Sequence, residues 1–242
     1  MWKKVFVATP YTRPFEAEYV ASLLSSESPG NLYWEPLPNN PIDVARNVLG
    51  QKFLKSNYDY ILYVDSDATW HPETIKRLVD RDLPVVTGCI YRRGLPPVPT
   101  FGPYSGEKKE EGQAYHFGKA IDKILEYVHK RGIDVDTQNN LCLPITDDDL
   151  WEIDGCGLHF CMVHRNVLET IELPWFRCSS PGAGEDFYFC KKVKEAGFPI
   201  HVDLSVHTGH IAGPGFDFGL RELLAFYKFT DALKPREHIW ET

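Results

Sequence analysis

The chain has 242 residues, 43% hydrophobic and 25% charged, which excludes wholesale disorder and fits one folded domain better than two. Its formal charge is −8, and no run of Lys and Arg exceeds two, so the basic face that stable nucleic-acid binding needs is missing. No apolar stretch approaches the ~20 residues of a membrane span, and the N-terminal Met-Trp-Lys-Lys-Val-Phe-Val-Ala is too short for a secretory signal.

Residues 4–8 read as a buried strand ending at a turn at Thr9-Pro10. Residues 14–25 have helical spacing through Phe15, Tyr19 and Leu23. A turn at Pro29-Gly30 precedes a short strand over 31–36 and an amphipathic helix over 42–55. The apolar run 58–64 is a strand closed by Asp65-Ser66-Asp67. A helix over 72–80 follows, with Pro72 in its first turn, and then a strand over 85–91. This alternation predicts an α/β fold with a mainly parallel central sheet flanked by helices.

The middle of the chain is different. Residues 93–118 are rich in Pro, Gly and charge, 118–131 are helical in pattern, and 132–149 are polar, ending in Asp147-Asp148-Asp149, read as a solvated turn. The stretch 93–149 is expected to be an insertion and lid over an acceptor site. It divides a single domain into a nucleotide-binding half (1–92) and an acceptor half (150–242). In the latter, strands are expected at 150–153, 160–163 and 200–206, and helices at 165–171, 185–196 and 219–233. The six cysteines form no Cys-x-x-Cys pair and read as free thiols in a reducing, cytoplasmic setting.

The strand ending in Asp65-Ser66-Asp67 puts two carboxylates at the carboxyl edge of the sheet, where open α/β folds bind ligands. Paired carboxylates suit a hard divalent cation, and the cation suits a diphosphate; a helix-capping turn is the bland alternative. Glu185 and Asp186 open a helix after a glycine-bearing loop at 179–184. There a carboxylate is held as an anion and can take a proton from a hydroxyl. His207 and His210 both follow a predicted strand, and a neutral imidazole can complete a Mn²⁺ shell. Of the two, His210 is favoured, whereas His71 and His159 read as structural or solvent-exposed. Gly155 and Gly157 would let backbone approach a donor sugar, or form a bulge. Trp175 would stack on an acceptor ring or fill the core. Arg92 and Arg93 would meet a diphosphate or lie on the surface.

Taken in order, Asp43-Val-Ala-Arg46-Asn47, Asp65-Ser66-Asp67, the segment from Leu83 to Arg93, Gly155-Cys-Gly157, Pro174-Trp175-Phe176, Gly184-Glu185-Asp186 and Asp203-Leu-Ser-Val-His207-Thr-Gly-His210 resemble the GT-A glycosyltransferases, above all the small bacterial and phage enzymes of the family-two kind. The resemblance covers 4–92 and 150–212. It implies a GT-A fold in which Thr9-Pro10-Tyr11 cradles the nucleoside and Arg46 faces the nucleotide. It further implies that Asp65 reaches the ribose or the metal through water, with Ser66 beside it, and that Asp67 and His210 ligate Mn²⁺ or Mg²⁺. Asp186 would be the base and Glu185 would orient the acceptor. The implied reaction moves a sugar from a nucleoside-diphosphate sugar of the UDP or GDP type to a hydroxyl acceptor, a glycan or a modified nucleic-acid base among the options, with inversion expected. Two alternatives stand beside it. One is a nucleotidyltransferase acting on sugar phosphates, whose Gly-rich basic loop Thr9-Pro-Tyr-Thr-Arg-Pro does not match. The other is a catalytically inactive carbohydrate-binding protein on the same fold.

Overall fold

The computed structural model describes residues 3–28, 30–109, 112–115, 117–178 and 184–229. In chain order the elements are β1 (Val5–Tyr11), α1 (Ala17–Ser25), β2 (Leu32–Pro38), α2 (Ile42–Leu54), β3 (Tyr60–Val64), β4 (Ala68–Thr69), α3 (Thr74–Asp80), β5 (Val85–Cys89), β6 (Phe101–Gly102), β7 (Tyr104–Lys109), β8 (Gly112–Tyr115), α4 (Phe117–Lys130), β9 (Leu141–Cys142), β10 (Leu150–Ile153), β11 (Gly155–Cys156), β12 (Phe160–His164), α5 (Arg165–Thr170), α6 (Glu185–Glu195), β13 (Ile200–His207), β14 (Gly209–Gly213), β15 (Phe216–Phe218) and α7 (Leu220–Phe229). The predicted last helix ran to 233, and residues 230–233 lie outside the described residues.

The central sheet has the order β10-β13-β5-β12-β3-β1-β2, with β9 also paired to β13. Parallel pairings join β1 to β2 and β3, and β13 to β5; β12 runs antiparallel to both β3 and β5. Five strands therefore point one way, as the alternating pattern predicts, and β12, β10 and β9 point the other. β3 and β5 are apolar-rich and buried along their whole length, the signature of strands covered on both faces. Between them β12 is inserted with Phe160 opposite Val64, so the start of β12 meets the end of β3.

Three expectations are corrected. β1 does not turn at Thr9-Pro10 but continues to Tyr11; past Ala8 it is paired only to β2, and such a one-sided stretch tolerates a proline. The segment 93–149 is not simply an excursion: α4 buries Ala120, Ile121, Ile124, Tyr127 and Val128 in the core. Nor is Asp147–Asp149 a solvated turn throughout. Asp149 is fully buried and accepts hydrogen bonds from Tyr127, Thr146, Arg81 and Arg131, while Arg81 also binds the buried Asp203 of β13. Burial raises the Asp149 pKa, but the hydrogen bonds from Tyr127, the Thr146 N–H and Arg81 outweigh it and hold the carboxyl below its usual range. This network ties the middle of the chain to α3 and β13. Among the described residues no helix is long and apolar enough to cross a membrane, and the six cysteines are free thiols.

Candidate active site

Three chain segments meet at the carboxyl edge of β3. The Asp65 N–H donates to the His159 carbonyl at 3.0 Å, because antiparallel β12 brings its leading residue to the trailing end of β3. The Ile211 N–H donates to the Asp67 carbonyl at 2.7 Å, and β14 lies antiparallel to β4 with His210 opposite Ala68. The backbone ladders thus set Asp67, His159 and His210 side by side.

One ligand atom from each of these three side chains lies within 4.8 Å of the others. His210 Nε2 is 3.3 Å from Asp67 Oδ2, and His159 Nδ1 is 3.6 Å from Asp67 Oδ1 and 3.7 Å from Asp65 Oδ2. His210 Nδ1 lies 2.9 Å from the Tyr91 carbonyl, which can only accept, so Nδ1 carries a proton and the Nε2 edge of the ring faces Asp67. Burial raises the pKa of both aspartates. For Asp65 it is outweighed chiefly by the charge of Arg46, and for Asp67 chiefly by the hydrogen bond from His210, so both are held below the usual range. The residues fit a divalent cation: among the described residues the buried His159 Nδ1 has no hydrogen-bond partner, and it faces two carboxylates. Of the reading of His159 as structural or solvent-exposed, the solvent-exposed half is corrected: the residue is 7% exposed and its ring centroid is 4.1 Å from that of His210. Its signal was hidden in strand direction, because only an antiparallel β12 carries residue 159 to this edge.

The first turn of α6 closes the other side. Arg46, from α2, is 3% exposed and bridges two carboxylates, donating to Asp65 Oδ1 at 2.8 Å and to Glu185 Oε1. It was expected to face the nucleotide; in this structure it is a buried strut between the end of β3 and the start of α6. Among the described residues Asp186 has no cation in salt-bridge contact, and the Arg46 charge only partly offsets the rise in its pKa. Its Oδ1 accepts the Phe187 N–H at 2.8 Å, and burial, then the neighbouring Glu185 charge, push its pKa up to about 6. The predicted glycine-bearing loop before α6 falls on residues 179–183, outside the described residues.

Other sequence candidates fall elsewhere. Thr9 and Pro10 are buried, and the Thr9 hydroxyl is used by Tyr19 at 2.6 Å and by the Trp34 indole N–H at 3.1 Å, so of the Thr9-Pro10-Tyr11 set only Tyr11 keeps some exposure. Gly155 pairs with Gly102 and Gly157 with Thr100; a Cβ on Gly157 would lie 2.8 Å from the Thr100 hydroxyl, so a neighbouring segment accounts for that glycine. Arg92 is exposed and donates its N–H to the Val98 carbonyl, whereas the Arg93 guanidinium stands 3.3 Å from Asp67. Ser66 is half-buried between the two aspartates. His207 is fully buried with Nδ1 2.8 Å from the Tyr91 hydroxyl, and burial drives its pKa down to about 3.

Trp175 is 3% exposed, donates its indole N–H to the Ile171 carbonyl, and packs so closely on Gly50 that a Cβ there would sit 2.6 Å from the ring. That environment is core, not an acceptor platform. Trp175→Ala is expected to lower stability by ~3–5 kcal/mol in chemical denaturation. Unchanged stability with a raised acceptor KM would restore the stacking role. A cavity of about 450 Å³ lies beside β14, lined by Glu18, Trp70, Ile211, Phe216 and Asp217 among others. Neither His210 nor any of the site carboxylates lines it, as expected for a strand whose alternate residues face opposite ways.

No protein-family model and no curated protein matches the sequence. Solved structures do match. A197 from STIV aligns with a TM-score of 0.57 at 18% identity, over 90% of each chain. GalNAc-T7, crystallised with UDP, GalNAc and Mn²⁺, aligns with a TM-score of 0.50 at 11% identity, over 94% of this chain and 48% of that one. The chain has a GT-A fold. On a GT-A frame the Asp67–His159–His210 cluster and the start of α6 flank one open edge of the central sheet, and likeness at these identities speaks to the fold alone.

Proposed function

We propose that this chain is a metal-dependent glycosyltransferase that moves a sugar from a nucleoside-diphosphate sugar to a hydroxyl acceptor. The observation that carries the reading is the convergence of Asp67 and the Nε2 of His210 at the carboxyl edge of β3, with the Arg46 strut tying Glu185, at the start of α6, to the same edge. The GalNAc-T7 neighbour, solved with UDP and Mn²⁺, supports it at the level of fold.

Asp67 and His210 would hold Mn²⁺ or Mg²⁺, which when bound neutralises the charge of a diphosphate leaving group. Arg93, half-exposed beside Asp67, would move onto the diphosphate once the carboxylate has a cation of its own. Arg46 fixes Asp65 and Glu185 and so keeps the floor of the site rigid. Asp186 would take the acceptor proton: among the described residues it has no paired cation, and a pKa near 6 leaves it ionised at neutral pH yet basic enough to accept. With one base on the acceptor side and no second nucleophile assigned, inversion at the anomeric carbon is the expected course.

Calorimetric titration of UDP and GDP with and without Mn²⁺ tests the donor side. Binding of at least one that requires the ion is the expected result. Ion-independent affinity for both would remove the metal from donor recognition.

A further inference from the structure

His159 has no place in the metal pair that the sequence singles out, yet its ring is held between the Gly209 carbonyl and the carboxylates of Asp65 and Asp67. Its Nε2 lies 3.3 Å from the Gly209 carbonyl, an acceptor only, so Nε2 carries the proton of the neutral ring. Nδ1 is then the atom turned to the cluster. It is buried, has no hydrogen-bond partner among the described residues, and stands 3.6 Å from Asp67 Oδ1 and 3.7 Å from Asp65 Oδ2. A buried polar atom left in this way is destabilising unless something binds it. His210 repeats the arrangement from the opposite strand, with its other nitrogen on the Tyr91 carbonyl. Anchoring of the distal nitrogen by a carbonyl is how proteins fix the tautomer and aim of a ligating imidazole. Asp67, 29% exposed, leaves the outer side of the cluster open.

We infer that His159 is a third protein ligand, so that the chain binds its divalent ion before any nucleotide arrives and selects Mn²⁺ and later first-row ions over Mg²⁺. Two aimed imidazoles and a carboxylate, brought together by β-ladders, form a site that needs no diphosphate oxygens to complete its inner half. Imidazole nitrogen suits the first-row transition ions, whereas Mg²⁺ demands an oxygen shell and gives up its waters reluctantly. This inference rests on the metal site of the proposed function and not on the transfer step.

The probe is Mn²⁺ alone, added to the full chain without nucleotide. Pulsed electron paramagnetic resonance on the wild-type complex is expected to count two coupled imidazole nitrogens, and excess Mg²⁺ should leave the spectrum unchanged. His159→Gln should retain one nitrogen and lose at least about tenfold in Mn²⁺ affinity, since loss of even an outer-shell partner costs 10–100-fold. A metal-free thermal melt of the variant checks that it folds. A single coupled nitrogen in the wild-type complex, ready displacement by Mg²⁺, or binding that appears only with nucleoside diphosphate would overturn the inference, and the first two need no variant. Two nitrogens with no sugar-nucleotide turnover would leave the inference standing and refute the glycosyltransferase reading instead.

Discussion

Asp186→Asn is expected to retain Mn²⁺ and donor binding and to lose about 10²–10⁴-fold in transfer rate, the usual contribution of a positioned base. An acceptor hydroxyl is a poor nucleophile until its proton has somewhere to go. Asp186 sits at the start of α6 with its Oδ1 on the Phe187 N–H, and asparagine keeps that hydrogen bond, so the fold should survive. The pH dependence has a definite sign. Burial and the Glu185 charge raise the Asp186 pKa to about 6, and the base works only when unprotonated. The transfer rate should therefore be flat above neutrality and fall as pH drops through about 6, and the acid limb should vanish in Asp186→Asn. Steady-state kinetics and donor titration on the same preparation check both points. A variant that transfers at the wild-type rate would shift the role to Glu185, or to a course without a protein base.

Asp67→Ala is expected to be more severe for the donor. Asp67 is the member of the cluster that both imidazoles approach, at 3.3 Å and 3.6 Å, and it is exposed enough to be shared with a ligand. Its removal should lower divalent-ion affinity by at least about 10²-fold, beyond the 10–100-fold seen when an outer-shell partner is lost, and donor binding should lose its ion dependence. Stability should change little, because the strand it follows is buried independently of it. Ion titration by calorimetry beside a chemical melt separates the two effects. Unchanged ion affinity in the variant would place the cation elsewhere.

The GT-A fold was legible because β3 and β5 are apolar runs bounded by Gly, Asp and Pro, and because strands and helices alternate over the first half. Asp67 was legible because it follows a strand that ends at that edge, and His210, rather than His207, because the resemblance places the late histidine there. The rest depended on partners that no local pattern discloses. Phe160-Cys-Met-Val reads as a strand but carries no mark of its direction, and direction alone brings His159 to Asp67. Three consecutive aspartates suggest solvent, yet Asp149 is buried because Arg81 and Arg131 reach it from 68 and 18 residues away. Thr9 ends an apolar run as a loop residue would, but Tyr19 and Trp34 close over its hydroxyl. Trp175 has the chemistry of a sugar platform, and only the bare Cα of Gly50 reveals that the ring is packed inward.

The carboxyl edge of β3 is proposed to perform ion-assisted transfer from a sugar nucleotide. The most direct measurement is nucleoside diphosphate release from a panel of UDP- and GDP-sugars with Mn²⁺, run on wild type and Asp67→Ala. At least one donor is expected to release nucleoside diphosphate, chelation to stop the release, and Asp67→Ala to abolish it. Release of pyrophosphate in place of nucleoside diphosphate, release that survives both chelation and the substitution, or no release from any donor would contradict it.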